Sequence, residues 1–264
     1  MTRRLKELAP GIEIVPKQTH AHSTWLWVGV CVRSGGPGSG AEVTVQVDGL
    51  DPIPATLTQY GYADGDDYDF FHGHVRVDGL QPATAYDATA TPSGPAAPTA
   101  TCRFTTLPTT VGEDPIRLAA ASCFDVGTDA DRQLPSLCER LFADHPPDLT
   151  LLLGDQVYLD APWHEFRRRT KSDPRKYYLT KYWSAWGRNA DGHGGLSPLL
   201  ASGGNWFLPD DHEFWNNFPH ATPLALHSMA NWRNIISARA KRTVAWLRGR
   251  QIPKELISPP STTE

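Results

Sequence analysis

Cys123, Asp155, Tyr158, Asp211, His212 and Asn216 are the side chains whose types and order could do chemistry. They fall in three stretches: Ala121-Ser122-Cys123, Leu153-Gly154-Asp155-Gln156-Val157-Tyr158-Leu159-Asp160, and Asp210-Asp211-His212-Glu213-Phe214-Trp215-Asn216-Asn217. Thiolate, carboxylate, phenolate, imidazole and amide oxygen are all metal donors. Cys123 as thiolate and Tyr158 as phenolate are strong anionic donors that suit a trivalent iron, and Asp155 could bridge two ions. Asp211 and Asn216 offer the hard oxygens that a divalent ion prefers. Two ions about 3.5–4 Å apart lower the pKa of bound water and clamp phosphoryl oxygens, which is what phosphoester hydrolysis needs. Singly, each residue also has an ordinary role. A lone cysteine or tyrosine is usually core, Gly-Asp after a strand is common, and Asp-Asp-His-Glu could simply cap a helix. The joint occurrence carries the metal reading.

Each stretch follows an apolar run. Leu149 to Leu153 reads as a strand buried on both faces, and it stops at Gly154. Ile116 to Ser122 and Asn205 to Leu208 have the same form. In open α/β sheets, ligands bind beyond the carboxyl ends of the strands. If the three runs are neighbours in a parallel sheet, Cys123, Asp155, Tyr158, Asp211 and His212 converge on one edge. Between the first two runs, Leu134, Leu137, Cys138, Leu141 and Phe142 recur at helical spacing. Pro146-Pro147 ends that helix, giving a βαβ unit with an expected right-handed crossover.

In this order, the three stretches resemble the first three metal motifs of the PhoD-like alkaline phosphatases, a branch of the calcineurin-like metallophosphoesterases. The resemblance implies hydrolysis of phosphate esters by a metal-activated hydroxide at a binuclear centre. It assigns ferric iron to Cys123, Asp155 and Tyr158, and a divalent ion, calcium, to a site for which Asp211 and Asn216 are candidates. His212 matches the superfamily histidine that orients or protonates the reacting oxygen. Asp210 and Glu213 would fix its imidazole. The implied catalytic fold is a four-layer α/β/β/α sandwich, present here only in part over residues 116–264. The family's late histidine motif has no counterpart: only His220 and His227 follow His212, without the glycine context. A truncated chain should expose an apolar sheet face, self-associate or need a complementing C-terminal chain. The alternative reading is an inactive remnant acting at most as a binding module.

Ahead of these motifs the periodicity is two. Trp25 and Trp27, then Val43, Val45 and Val47, then Val75 and Val77, alternate as half-buried strands between Gly-rich and Asp-rich turns. Residues 17–107 therefore read as a β-sandwich, with 1–16 a polar lead-in and 108–115 a linker. Leu80-Gln81-Pro82-Ala83-Thr84-Ala85-Tyr86 resembles the tyrosine-corner signature of fibronectin type III domains, in which the phenol hydrogen-bonds back to the main chain. His72 and His74 at i, i+2, and Asp64, Asp66, Asp67 and Asp69, could tempt a metal assignment. Neither group is a complete ligand set, and an acidic turn with strand histidines is the better reading.

The sequence has 264 residues, 40% hydrophobic and 20% charged, with net charge −4. That balance carries no nucleic-acid signature. No apolar run approaches the ~20 residues of a membrane helix. Arg3-Arg4 lacks a following apolar stretch, so a cytoplasmic location is expected. The four cysteines should then be reduced, with Cys31, Cys102 and Cys138 as small core residues. Residues 163–188 are aromatic and basic. They read as a solvated basic face with an aromatic core stripe through Tyr178, Tyr182 and Trp186, and Arg188 is a candidate for the substrate pocket. A further helix is expected from Pro223 to about Arg248.

Overall fold

The computed structural model describes residues 10–33, 42–60, 68–93, 98–110, 112, 115–126, 129, 133–159, 174–187 and 195–208, with backbone alone at 60 and 174–179. Eight strands come first: β1 Gly11–Thr19, β2 Ser23–Arg33, β3 Glu42–Val47, β4 Ile53–Thr56, β5 Thr58–Tyr60, β6 Tyr68–Asp78, β7 Ala85–Pro92 and β8 Ala100–Thr105. They form two antiparallel sheets, in the orders β1-β2-β6-β5 and β4-β3-β7-β8. Then follow β9 Leu118–Ala121, α1 Gln133–Asp144, β10 Leu149–Leu153, α2 Pro174–Trp186, α3 Ser197–Leu200 and β11 Gly204–Leu208. The last three strands form a parallel sheet, order β11-β10-β9.

Alternation along the strands sorts the side chains. Ile12, Ile14, Leu26, Val28 and Val30 of the first sheet meet Val43, Val45, Val47, Ala90 and Phe104 of the second in one apolar core. The turn into β7 is tied by a 2.8 Å bond in which the Gln81 amide donates to the Tyr86 phenol oxygen. The residues between those positions point the other way. Val15, Trp27, Cys31 and Phe70 join Tyr182, Trp183 and Trp186 of α2, Leu199 and Leu200 of α3, Cys138 of α1 and Leu152 of β10 in a second core. The first sheet is thus buried on both faces. Gly29 makes room for this: a Cβ there would fall 2.3 Å from the Trp27 ring.

Polar groups stitch the seam. The Asn205 amide donates to the carbonyls of Pro16 (2.8 Å), Leu200 (2.9 Å) and Gly203 (3.1 Å). The Ser197 hydroxyl donates to the Glu13 carboxylate at 2.8 Å, both residues buried. Lys17 is completely buried, its Nζ 4.0 Å from the Phe207 ring centroid and 5.6 Å from that of Trp186. Desolvation lowers its pKa well below the usual lysine range.

Several expectations need correction. Residues 11–16 are not lead-in but the first half of β1, with Ile12, Ile14 and Val15 buried. Pro16 masked the pattern, and its missing donor coincides with a register shift between Pro16 and Thr19. β10 is buried on one face only: Thr150 and Leu152 face the core, whereas Leu153 is 46% exposed. Leu118, opposite Leu149, is 57% exposed, and Leu208, opposite Leu153, is 60% exposed. In α1, Leu137 and Leu141 face outward, because the helix packs through Leu134, Pro135, Cys138 and Phe142. Lys181 is buried rather than solvated. Cys31, Cys102 and Cys138 are buried and free as expected, and burial pushes the Cys31 thiol up to about 12 and that of Cys138 to about 11. The helix expected over 223–248 and the Asp64–Asp67 turn lie outside the described residues.

Candidate metal centre

β10 runs between β9 and β11, with Leu152 opposite Ala121 and Leu153 opposite Leu208. The three carboxyl ends are therefore adjacent, as the sequence requires of a shared site. Beyond them the chain turns sharply. Gly154 has φ +92°, and Asp155 and Cys123 have φ +54° and +58°. Glycine enters this left-handed region freely, aspartate tolerates it, and a cysteine there is strained. Strain of this kind persists where the surroundings over-determine it, and it clusters at functional sites.

Two main-chain bonds hold the strained turns together. The Cys123 amide donates to the Gly154 carbonyl at 3.2 Å, and the Phe124 amide to the Asp155 carbonyl at 2.8 Å. The side chains then meet. Cys123 Sγ lies 3.6 Å from Asp155 Oδ2. Asp155 is 6% exposed, whereas the thiol is open to solvent. Tyr158 is half-buried beside them. Burial, then the charges of Asp155 and Cys123, a hydrogen bond to Cys123, and the charge of Asp125 push its phenol well above the usual tyrosine range. In the metal-free protein this phenol holds its proton. A multivalent cation at the same point would reverse that preference.

Cys123, Asp155 and Tyr158 are thus brought together. Asp210, Asp211, His212, Glu213, Asn216 and Arg188 lie outside the described residues. Among the described residues, no three His, Cys, Asp or Glu side chains gather at one point. His72 and His74 share one face of β6, stacked on Phe70 and edge-on to Trp25 respectively. Burial depresses their pKa values to about 4 and about 3. Two neighbours of the centre escaped sequence reasoning. Asp125 is spaced i, i+2 from Cys123, a signal that could have flagged it. Gln156 is 1% exposed, and its amide donates to the Leu208 carbonyl at 2.7 Å; a glutamine next to a candidate ligand carries no signal of its own.

Among solved structures, the chain aligns with a structure of PhoD at a TM-score of 0.54 and 17% identity, over 82% of this chain and 42% of that one. Over most of its length the chain shares the fold of that PhoD structure. The chain spans about two fifths of that PhoD chain. A purple acid phosphatase from yellow lupin (Lupinus luteus) seeds aligns at a TM-score of 0.48 and 9% identity, over 81% of this chain and 38% of that one. No protein-family model matches the sequence, and no curated protein does. Within the PhoD-like fold, the antiparallel sheets precede the parallel one, and the strained Cys123–Asp155 pair sits at the carboxyl edge of the latter.

Proposed function

We propose that this chain belongs to a phosphoric ester hydrolase of the PhoD-like type, with its reacting edge at the carboxyl ends of β9, β10 and β11. The observation that carries the reading is the pair of left-handed ligand residues, Cys123 and Asp155, 3.6 Å apart with Tyr158 beside them. An anionic thiolate, carboxylate and phenolate fit a ferric ion, which these three residues would hold. Asp211 and Asn216 would hold a divalent ion, calcium by the family resemblance. When bound, the two ions supply Lewis acidity toward water and phosphoryl oxygen. The chain's own residues do the rest. His212 orients or protonates the reacting oxygen, Asp210 and Glu213 fix its imidazole, and Arg188 attracts the phosphate ester. Asp155, screened from solvent, holds its carboxylate toward the exposed Cys123 thiol.

The first sheet order, the second sheet order and the Gln81–Tyr86 bond support a fibronectin type III-like sandwich, here extended to begin at β1, ahead of a metallophosphatase domain over 116–264. A cytoplasmic location belongs to the same reading. The second reading, a non-catalytic remnant that self-associates or awaits a complementing chain, is favoured by one observation: Leu118, Leu153 and Leu208 stand exposed on one face of the parallel sheet. Elemental analysis of the purified protein, paired with hydrolysis of a chromogenic phosphate monoester and diester, separates the two. Iron plus a divalent ion with turnover supports the hydrolase. Neither metal nor turnover supports the remnant.

A further inference from the structure

We infer that Phe124 is a positioning residue that holds the strained turn aiming Cys123 at Asp155; the inference rests on the function proposed above. From Ser122 to Val126 it is the one buried side chain, 7% exposed, whereas Ser122 and Cys123 are open to solvent and Asp125 and Val126 are half-buried. Its amide donates to the Asp155 carbonyl at 2.8 Å. Its ring lies in the core that holds Ala185 and Trp186 of α2. The chain after α2 is shaped to receive that ring. The Leu196 amide donates to the Ala185 carbonyl at 2.7 Å, and a Cβ at Gly195 would run into that carbonyl and lie 3.0 Å from the Phe124 ring.

Left-handed backbone at Cys123 persists only if its surroundings enforce it. The thiol is exposed and supplies no such hold. The Gly154 and Asp155 carbonyls that receive the Cys123 and Phe124 amides belong to a turn that is left-handed itself, so neither turn is a relaxed reference for the other. Phe124 is different. Burying a phenylalanine side chain matches or outweighs the penalty of one left-handed residue. If Cys123 returned to right-handed backbone, the chain direction at 124 would change and the ring would leave the core. Phe124 therefore acts through its neighbour: the core grips the ring, and the ring fixes the backbone that carries the thiol to 3.6 Å from Asp155 Oδ2.

The test is a double-mutant cycle on metal-free protein. Cys123→Gly and Cys123→Ala are compared by urea denaturation in three backgrounds: native Phe124, Phe124→Leu and Phe124→Ala. With Phe124 in place, the glycine protein should fold with an equilibrium constant about two- to fivefold above that of the alanine protein, since glycine escapes the left-handed penalty. Phe124→Leu keeps an apolar anchor and should keep that preference. Phe124→Ala lets residue 123 relax, and the preference should vanish. The same preference in all three backgrounds overturns the inference, because a side chain that merely adds to the core lowers stability without touching the choice at 123. Where Phe124→Ala shows no folding transition, Phe124→Val takes its place in the cycle. Iron titration of the proteins that retain Cys123 gives a second readout. Phe124→Ala should bind iron about 10- to 100-fold more weakly and lose the thiolate–iron absorption, and Phe124→Leu should retain both. An unchanged spectrum in Phe124→Ala also overturns the inference. If wild type takes up no iron, the proposed function fails, and the cycle alone decides the role of Phe124.

Discussion

Replacing Cys123 by glycine should stabilise the metal-free protein while it removes a proposed iron donor. The residue sits at φ +58° with its side chain open to solvent. Left-handed backbone costs an L-residue roughly 1–2 kcal/mol, which glycine does not incur. Glycine in turn gives the unfolded chain more freedom, worth about 0.4–1 kcal/mol against folding. The exposed thiol loses a 3.6 Å contact with Asp155 and a hydrogen bond with Tyr158, losses that Cys123→Ala shares. Relative to Cys123→Ala the balance is a gain of about 0.5–1 kcal/mol, or roughly 2 °C in Tm for a protein of this size. Cys123→Ala keeps the strain and should show no gain. The assay is urea denaturation of chelator-treated wild type, Cys123→Gly and Cys123→Ala, read by tryptophan fluorescence. Adding iron should invert the order, because only wild type gains stability from the ligand. If Cys123→Gly is no more stable than Cys123→Ala without metal, the strain argument is wrong.

Three further outcomes are expected. His72 and His74 have folded pKa values below their unfolded value of about 6.5, so the unfolded state binds more protons at mildly acid pH. Their contribution to stability is complete above about pH 6.5 and is lost as pH falls toward 4 and 3, at up to ~1.4 kcal/mol per unit for each histidine; His72→Gln/His74→Gln should flatten the melting profile between pH 6.5 and 4. Asn205→Leu strands the carbonyls of Pro16, Leu200 and Gly203 and should cost at least about 3 kcal/mol in chemical denaturation, whereas a cost below 1 kcal/mol would mean water replaces the amide. Leu118→Lys/Leu153→Lys should cut dye binding and any sedimenting oligomer without lowering stability, and a fall in Tm beyond a few degrees would show that this face is covered in solution.

Local regularity was legible in the sequence. Four leucines and a threonine bounded by Pro-Asp and Gly-Asp announced β10 at its observed limits, and helical spacing announced α1 within a residue at either end. The adjacency of the three strand ends followed from the repeated pattern of apolar run and ligand, and the Cys123–Asp155–Tyr158 grouping followed from it. What each element packs against was not legible. Leu137 and Leu141 fit the helical stripe but lie beyond the contact line through Leu134, Cys138 and Phe142. Lys181 reads as solvent-facing by type, yet it is buried in the helix that covers the first sheet. β1 was obscured because Pro16, Glu13 and Lys17 break the usual signals, and their partners come from residues nearly 200 positions away. The left-handed turns at Cys123 and Asp155 had no signal in residue type, since glycine, the usual marker, is absent from both positions.

The first antiparallel sheet is a party wall. Val15, Trp27 and Phe70 belong to one side of it, and Ile14, Leu26 and Val28 to the other. The Pro-rich stretch at 108–115 punctuates the sequence without dividing the material behind it. A piece ending there would leave Trp27 and a buried lysine facing water, and the remaining piece would lose the surface on which Trp183 and Trp186 rest. Recombination or gene fission at that stretch would therefore yield two insoluble halves. The segments can be inherited or transplanted only together, however separable they look on paper.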